Sequence, residues 1–88
     1  AHGVVGQGPS GDTLVNATVS NRWKSGLAQS TMYVDITVPS SANATVLATA
    51  ENSFGLMAAV SVRNLGSNKY RFTTNSGQKK IYFAFIKG

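Results

Sequence analysis

Residues 31–38 read Thr-Met-Tyr-Val-Asp-Ile-Thr-Val, and their apolar positions repeat with a period of two. Met32, Val34, Ile36 and Val38 fall on one face of an extended chain, and Thr31, Tyr33, Asp35 and Thr37 fall on the other. Pro39 ends the run, because it has no N–H to give to a ladder. Similar runs follow. Thr13–Ser20 alternates with both faces mixed, and Asn43–Ala50 sets Val46, Ala48 and Ala50 against Thr45, Leu47 and Thr49. Ala58–Arg63, Lys69–Thr74 and Lys79–Ile86 complete the set, separated by turn formers such as Asn64–Asn68 and Asn75-Ser76-Gly77. The pattern predicts an all-β protein, a small antiparallel β-sandwich or barrel of about six strands. Val34, Ile36, Val60, Val62, Phe72, Ile81 and Phe83 are expected inside. Asp35 is expected on a solvated face, where Asn would replace it at little cost.

Composition points the same way. Charged residues are 12% of the 88, while Ser, Thr, Asn, Gln and Gly fill 37 positions. A chain so poor in Lys and Glu and so rich in Thr, Ser, Asn and Gly is a poor helix former. It excludes a coiled coil, a zinc finger (no Cys, one His) and a disulfide-stapled mini-protein. The length allows one domain. No apolar run approaches the roughly 18 residues of a membrane-spanning helix, so no membrane insertion is expected. A signal-peptide pattern is absent, and the Ala1 start suggests a processed chain or a piece of a longer one.

Residues 1–12 hold four glycines (Gly3, Gly6, Gly8, Gly11) and Pro9. They read as a flexible glycine-rich arm or linker that adds little to stability, ahead of a single β-domain over 13–88.

Catalytic chemistry is hard to assemble. The sole His, His2, lies in the arm, and the three carboxylates, Asp12, Asp35 and Glu51, are far apart in sequence. An acid–base pair needs two such groups together in a pocket. No nucleophile elbow, phosphate loop or metal-ligand cluster is present, so no enzyme activity, cofactor or metal is expected. Asn16 and Asn43 each begin an Asn-Ala-Thr sequon, which residues of this composition produce by chance.

Binding is better served. Arg22-Trp23-Lys24 holds the only Trp between two cations, in what reads as a polar loop bounded by Asn21 and Ser25-Gly26. An exposed Trp there suits stacking on a sugar, with Arg22 and Lys24 bonding to hydroxyls or an acidic group. Alternatively it caps the core. Tyr33, on a polar strand face, and Asn52 with Phe54, in a polar loop, join the glycan-binding candidates. The net charge of +5 also admits single-stranded nucleic acid, with Tyr70, Phe72, Tyr82 and Phe83 as stacking platforms.

The last strand carries Ile81, Phe83 and Phe85 on one face and Tyr82, Ala84 and Ile86 on the other. A sandwich of this size has one core, so only one face can be buried within the chain. The other is a candidate oligomer interface: Tyr82, Ala84 and Ile86.

The stretch from Val60 to Gly88 resembles the terminal strands of bacteriophage tail-fibre and tailspike head domains and, more loosely, of H-type lectins. Val62-Arg63-Asn64, Phe72, Ser76-Gly77 and Tyr82-Phe83-Ala84 with Gly88 fill the places of a strand, a polar hairpin and a last aromatic strand. Phe83 or Phe85 stands where the lectins have Trp, so no sugar-contacting residue transfers. The resemblance implies a non-enzymatic distal fibre or spike domain, extracellular on the virion. It would form a homotrimer and bind a bacterial surface polysaccharide, or cap the fibre. A structural virion protein contacting other virion proteins is the first alternative. A basic small β-barrel binding single-stranded nucleic acid is the second.

Overall fold

The computed structural model describes residues 1–40 and 43–87, and they form nine strands in two antiparallel sheets packed face to face. The strands are β1 (His2–Val5), β2 (Thr13–Val15), β3 (Thr18–Ser25), β4 (Thr31–Thr37), β5 (Ala44–Glu51), β6 (Met57–Ala59), β7 (Ser61–Gly66), β8 (Lys69–Asn75) and β9 (Lys80–Lys87). One sheet has the order β2-β1-β9-β5-β6 and the other β3-β4-β8-β7. Successive strand pairs therefore fall in alternate sheets, and β9 returns to the middle of the first. No strand is shared, so the fold is a sandwich rather than a barrel.

The strand count exceeds six for three local reasons. Asn16, at φ 53°, divides the Thr13–Ser20 run into β2 and β3, which lie in different sheets. Val60 is the single residue between β6 and β7, where the chain again changes sheets. The third reason is β1.

Residues 1–12 are not a free arm. β1 pairs with β2 on one side and with β9 on the other, and Val5 is completely buried beside Ile81. The glycines that made the segment look like a linker are what allow it to dock. A Cβ on Gly3 would lie 2.1 Å from the Thr13 carbonyl oxygen, so β1 fits against β2 only with glycine there. Pro9–Gly11 forms one 3₁₀ turn that carries the chain from β1 to β2.

The core fills the space between the sheets. Val5, Ala50, Ile81 and Phe83 come from one sheet, and Val34, Ile36, Tyr70 and Phe72 from the other, with Val38 just past β4. Across β5 and β9, Ala50, Ala48 and Val46 face Ile81, Phe83 and Phe85, so small residues oppose large ones. Phe72, Phe83 and Phe85 make edge or tilted ring contacts, with centroids 5.6–6.4 Å apart, and Tyr70 meets Phe85 at 4.9 Å. Val62 points to this side, opposite Phe72, but stays 36% exposed. Its strand, β7, forms a sheet edge with no further strand to cover it. Tyr70, Phe72 and Phe83, considered above as base-stacking platforms, are core residues.

Candidate functional site

Each sheet turns one face to solvent, and the two faces differ in chemistry. Register places Thr31, Tyr33, Asp35 and Thr37 of β4 on the outside of the four-stranded sheet. Opposite them on β8 stand Asn75, Thr73, Arg71 and Lys69. β7 adds Ser61 and Arg63, and β3 adds Asn21 and Lys24.

Asp35 is the pivot of this face. It is 1% exposed, and its carboxylate accepts hydrogen bonds from Arg71 Nε (2.8 Å), Arg71 Nη2 (3.0 Å) and Asn21 Nδ2 (2.7 Å). The Arg71 hydrogen bonds hold the Asp35 carboxyl below the usual carboxylate range, outweighing the opposing effect of burial; Asn21 adds to the lowering. Asp35 in turn raises Arg71. The expectation of a solvated Asp35 is thus corrected: alternation gave its face, but cross-strand pairing with Arg71 buries it. The Arg71 guanidinium also lies 3.9 Å above the centroid of the Tyr33 ring. Arg71 is therefore fixed from two sides.

Directly across the β7–β8 ladder stands Arg63, so two arginines face each other. Like charges in that position disfavour the pair unless something neutralises them. Asp35 neutralises Arg71. Among the described residues Arg63 has no ion pair. A groove of about 310 Å³ runs beside these residues, and Tyr33, Arg63, Arg71, Thr31, Thr73 and the 25–28 segment line it.

The other binding candidates fall elsewhere. Trp23 is in strand β3, not a polar loop. The register of β3 against β4 shifts on both sides of Asn21, and Trp23 takes φ 48° in the resulting bulge. The bulge turns Trp23 onto the core, where its indole N–H donates to the Gly6 carbonyl at 2.7 Å. Arg22 donates to the same carbonyl at 2.9 Å and forms an ion pair with Asp12. That pairing lowers the Asp12 carboxyl, and the Gly6 N–H supports it. Arg22 and Trp23 therefore fasten the N-terminal segment, while Lys24 returns to the outer face opposite Tyr33. In the β5–β6 loop, Asn52 Oδ1 accepts from the backbone N–H groups of Phe54 and Leu56, and Phe54 is 87% exposed. Of the sequence candidates, Tyr33 and Lys24 meet on the outer face of the four-stranded sheet, whereas Arg22 and Trp23 meet at Gly6 and Asn52 and Phe54 in the β5–β6 loop. Arg63 and Arg71 were missed, and the signal available was their position at alternate sites flanking Phe72 across a hairpin.

The outer face of the five-stranded sheet is mixed, with His2, Thr13, Thr45, Thr49, Glu51 and Lys80 around an apolar centre. Val4, Tyr82, Ala84 and Ile86 share it with Leu47 and Val15, and Met57 and Ala59 extend it onto β6. Leu47 is 54% exposed and Ile86 50%. The Tyr82 hydroxyl donates to Glu51, a hydrogen bond that raises the phenol. Among the described residues no three carboxylate or imidazole groups come together to hold a metal, and no helix is long and apolar enough to cross a membrane.

The fold and its two faces define an antiparallel two-sheet sandwich with one polar, basic surface and one mixed surface that has an apolar centre. No family model matches the chain, and neither a curated protein nor a solved structure is detectably similar to it.

Proposed function

We propose that this chain is a non-enzymatic distal domain of a bacteriophage tail fibre or spike. In this reading it assembles as a homotrimer through the outer face of the five-stranded sheet and offers the groove on the four-stranded sheet to a bacterial surface glycan. The observation that carries the reading is the uncovered apolar cluster of Tyr82, Ala84, Ile86 and Leu47 at the centre of that face. Contiguous apolar surface of this kind marks a protein interface. Self-association rests on that face. Its order and the virion setting rest on the resemblance of residues 60–88 to fibre head domains.

Of the four aromatics proposed for the nucleic-acid reading, Tyr70, Phe72 and Phe83 lie between the sheets, and Tyr82 faces outward on the other sheet from the basic groove. Light scattering on the eluting protein tests assembly. A mass near 28 kDa, three times 9.2 kDa, is expected. A mass near 9.2 kDa at micromolar concentration, together with no binding across an array of bacterial surface polysaccharides, overturns the reading.

A further inference from the structure

The groove on the four-stranded sheet has a specific chemistry, and we infer that it binds an acidic saccharide, with the ligand carboxylate held between Arg63 and Arg71. The inference rests on the glycan reading above and narrows it to one charge class and one site.

Four observations carry it. Arg71 is preorganised by Asp35 below it and Tyr33 beside it, and those hydrogen bonds use Nε and Nη2. Nη1 has no hydrogen-bond partner among the described residues, which leaves one edge of the guanidinium to donate. Second, Arg63 stands across the ladder, exposed and without an ion pair among those residues. A carboxylate between the two would relieve their mutual repulsion and accept charge-assisted hydrogen bonds from both. Third, the charge on this face is unbalanced. Lys24, Lys69, Arg63 and Arg71 are set against Asp35 alone, and Asp35 is committed inside the network. Fourth, Thr31 and Thr73 bring hydroxyls to the groove, and its volume of about 310 Å³ lies at the lower end for small-ligand clefts. Thr73 can exchange hydrogen bonds with ring hydroxyls, Thr31, whose hydroxyl donates to the Ala28 carbonyl, can accept one, and Tyr33 supplies an aromatic wall.

A nucleic-acid strand fits these features less well. Strand binding uses a charged track with several aromatics for successive bases. The groove has one aromatic, Tyr33.

The test uses the full chain and four probes: a trigalacturonate, the same trisaccharide with its carboxyls reduced to alcohols, inorganic sulfate, and a short oligothymidylate. Amide shifts on titration are expected at Thr31, Tyr33, Arg63 and Thr73 with trigalacturonate. Reducing the carboxyls, or making Arg63→Ala, is expected to weaken binding about tenfold or more. Arg63 lies on the fully exposed edge strand β7, so the variant should fold; its melting curve checks this, and Arg63→Lys, which keeps the charge and loses the fork, should fall between. Lys87→Ala, in the other sheet, should leave binding unchanged. Equal binding of the reduced trisaccharide overturns the acidic assignment while leaving a glycan-binding role intact. Sulfate that reproduces the shifts at the same affinity, or tighter binding of the oligothymidylate, overturns the saccharide assignment. If neither trisaccharide binds, the inference fails, and the polysaccharide array decides the glycan role separately.

Discussion

Asp35 and Trp23 show how far one residue's role depends on its neighbour across the ladder. Asp35 sits at a position that alternation marks as polar, and the polar face is indeed where its strand turns it. Three hydrogen bonds from Arg71 and Asn21 then bury it. Asp35→Asn keeps the shape and removes the charge, so it should cost about 2 kcal/mol, the scale of a hydrogen-bonded charged group. In a domain of this size that is a fall in Tm of roughly 8–16 °C, and thermal melts at neutral pH check it. The pH dependence has a definite sign. Asp12 and Asp35 both have folded pKa values below the usual carboxylate range, Asp12 chiefly through Arg22 and Asp35 chiefly through Arg71. Their stabilisation is complete above the ordinary carboxylate pKa and is lost as pH falls through the lowered folded values. Tm should therefore be flat from neutrality down to about pH 5 and drop steeply below about pH 4. The drop should be shallower in Asp35→Asn. An equally steep acid limb in that variant would show that Asp35 is not one of the groups responsible.

At the scale of the strand, the segment before Thr13 carries the main lesson. Gly3, Gly6, Gly8, Gly11 and Pro9 read locally as a linker, since glycine and proline disfavour both helix and strand interiors. What places β1 in the sheet is non-local. Val5 enters the core beside Ile81, and Arg22 and Trp23 both bond to the Gly6 carbonyl from β3. The strands with clean alternation, β4 and β8, were legible from the sequence with their faces, because a half-buried strand writes its own pattern, while β9, apolar on both faces, was legible as a strand. The bulge at Trp23 was not legible, because it depends on the N-terminal segment being there to receive the indole. The groove was legible only in part: Tyr33 and Lys24 stand out singly, whereas Arg63 opposite Arg71 exists only once the hairpin register is set. Deleting residues 1–12 should thus unfold the domain or lower Tm by more than about 10 °C, since it removes the fully buried Val5 and strips one edge of β9. Gly3→Ala makes the same point with one methyl group, because its Cβ would meet the Thr13 carbonyl. Far-ultraviolet melting of both variants decides the matter: a truncation that melts like the full chain would mean that β1 is dispensable.

For the whole molecule, the proposed reading assigns the two outer faces separate roles, one for ligand and one for assembly. The five-stranded sheet ends in charge, with Glu51 opposite Lys80, but between that edge and Ile86 its outer residues along β5 and β9 are Thr49, Tyr82, Leu47, Ala84 and Thr45. In the proposed trimer the apolar residues of this face are covered by different patches of neighbouring copies around a threefold axis, which leaves the basic groove of each subunit facing away. Ile86→Lys places a charge on that face at a half-exposed position, where it should not disturb the inner residues Phe83 and Phe85. The variant should elute as a monomer near 9.2 kDa and retain its β-sheet spectrum. Tyr82→Lys should do the same, with the added loss of the hydrogen bond to Glu51. Arg63→Ala, on the opposite sheet, should leave the oligomer intact. Because association stabilises the folded chain by mass action, Tm of the parent should rise with protein concentration and that of Ile86→Lys should not. A parent whose Tm and scattering mass are both independent of concentration, at 9.2 kDa, would show that this face stays open to solvent.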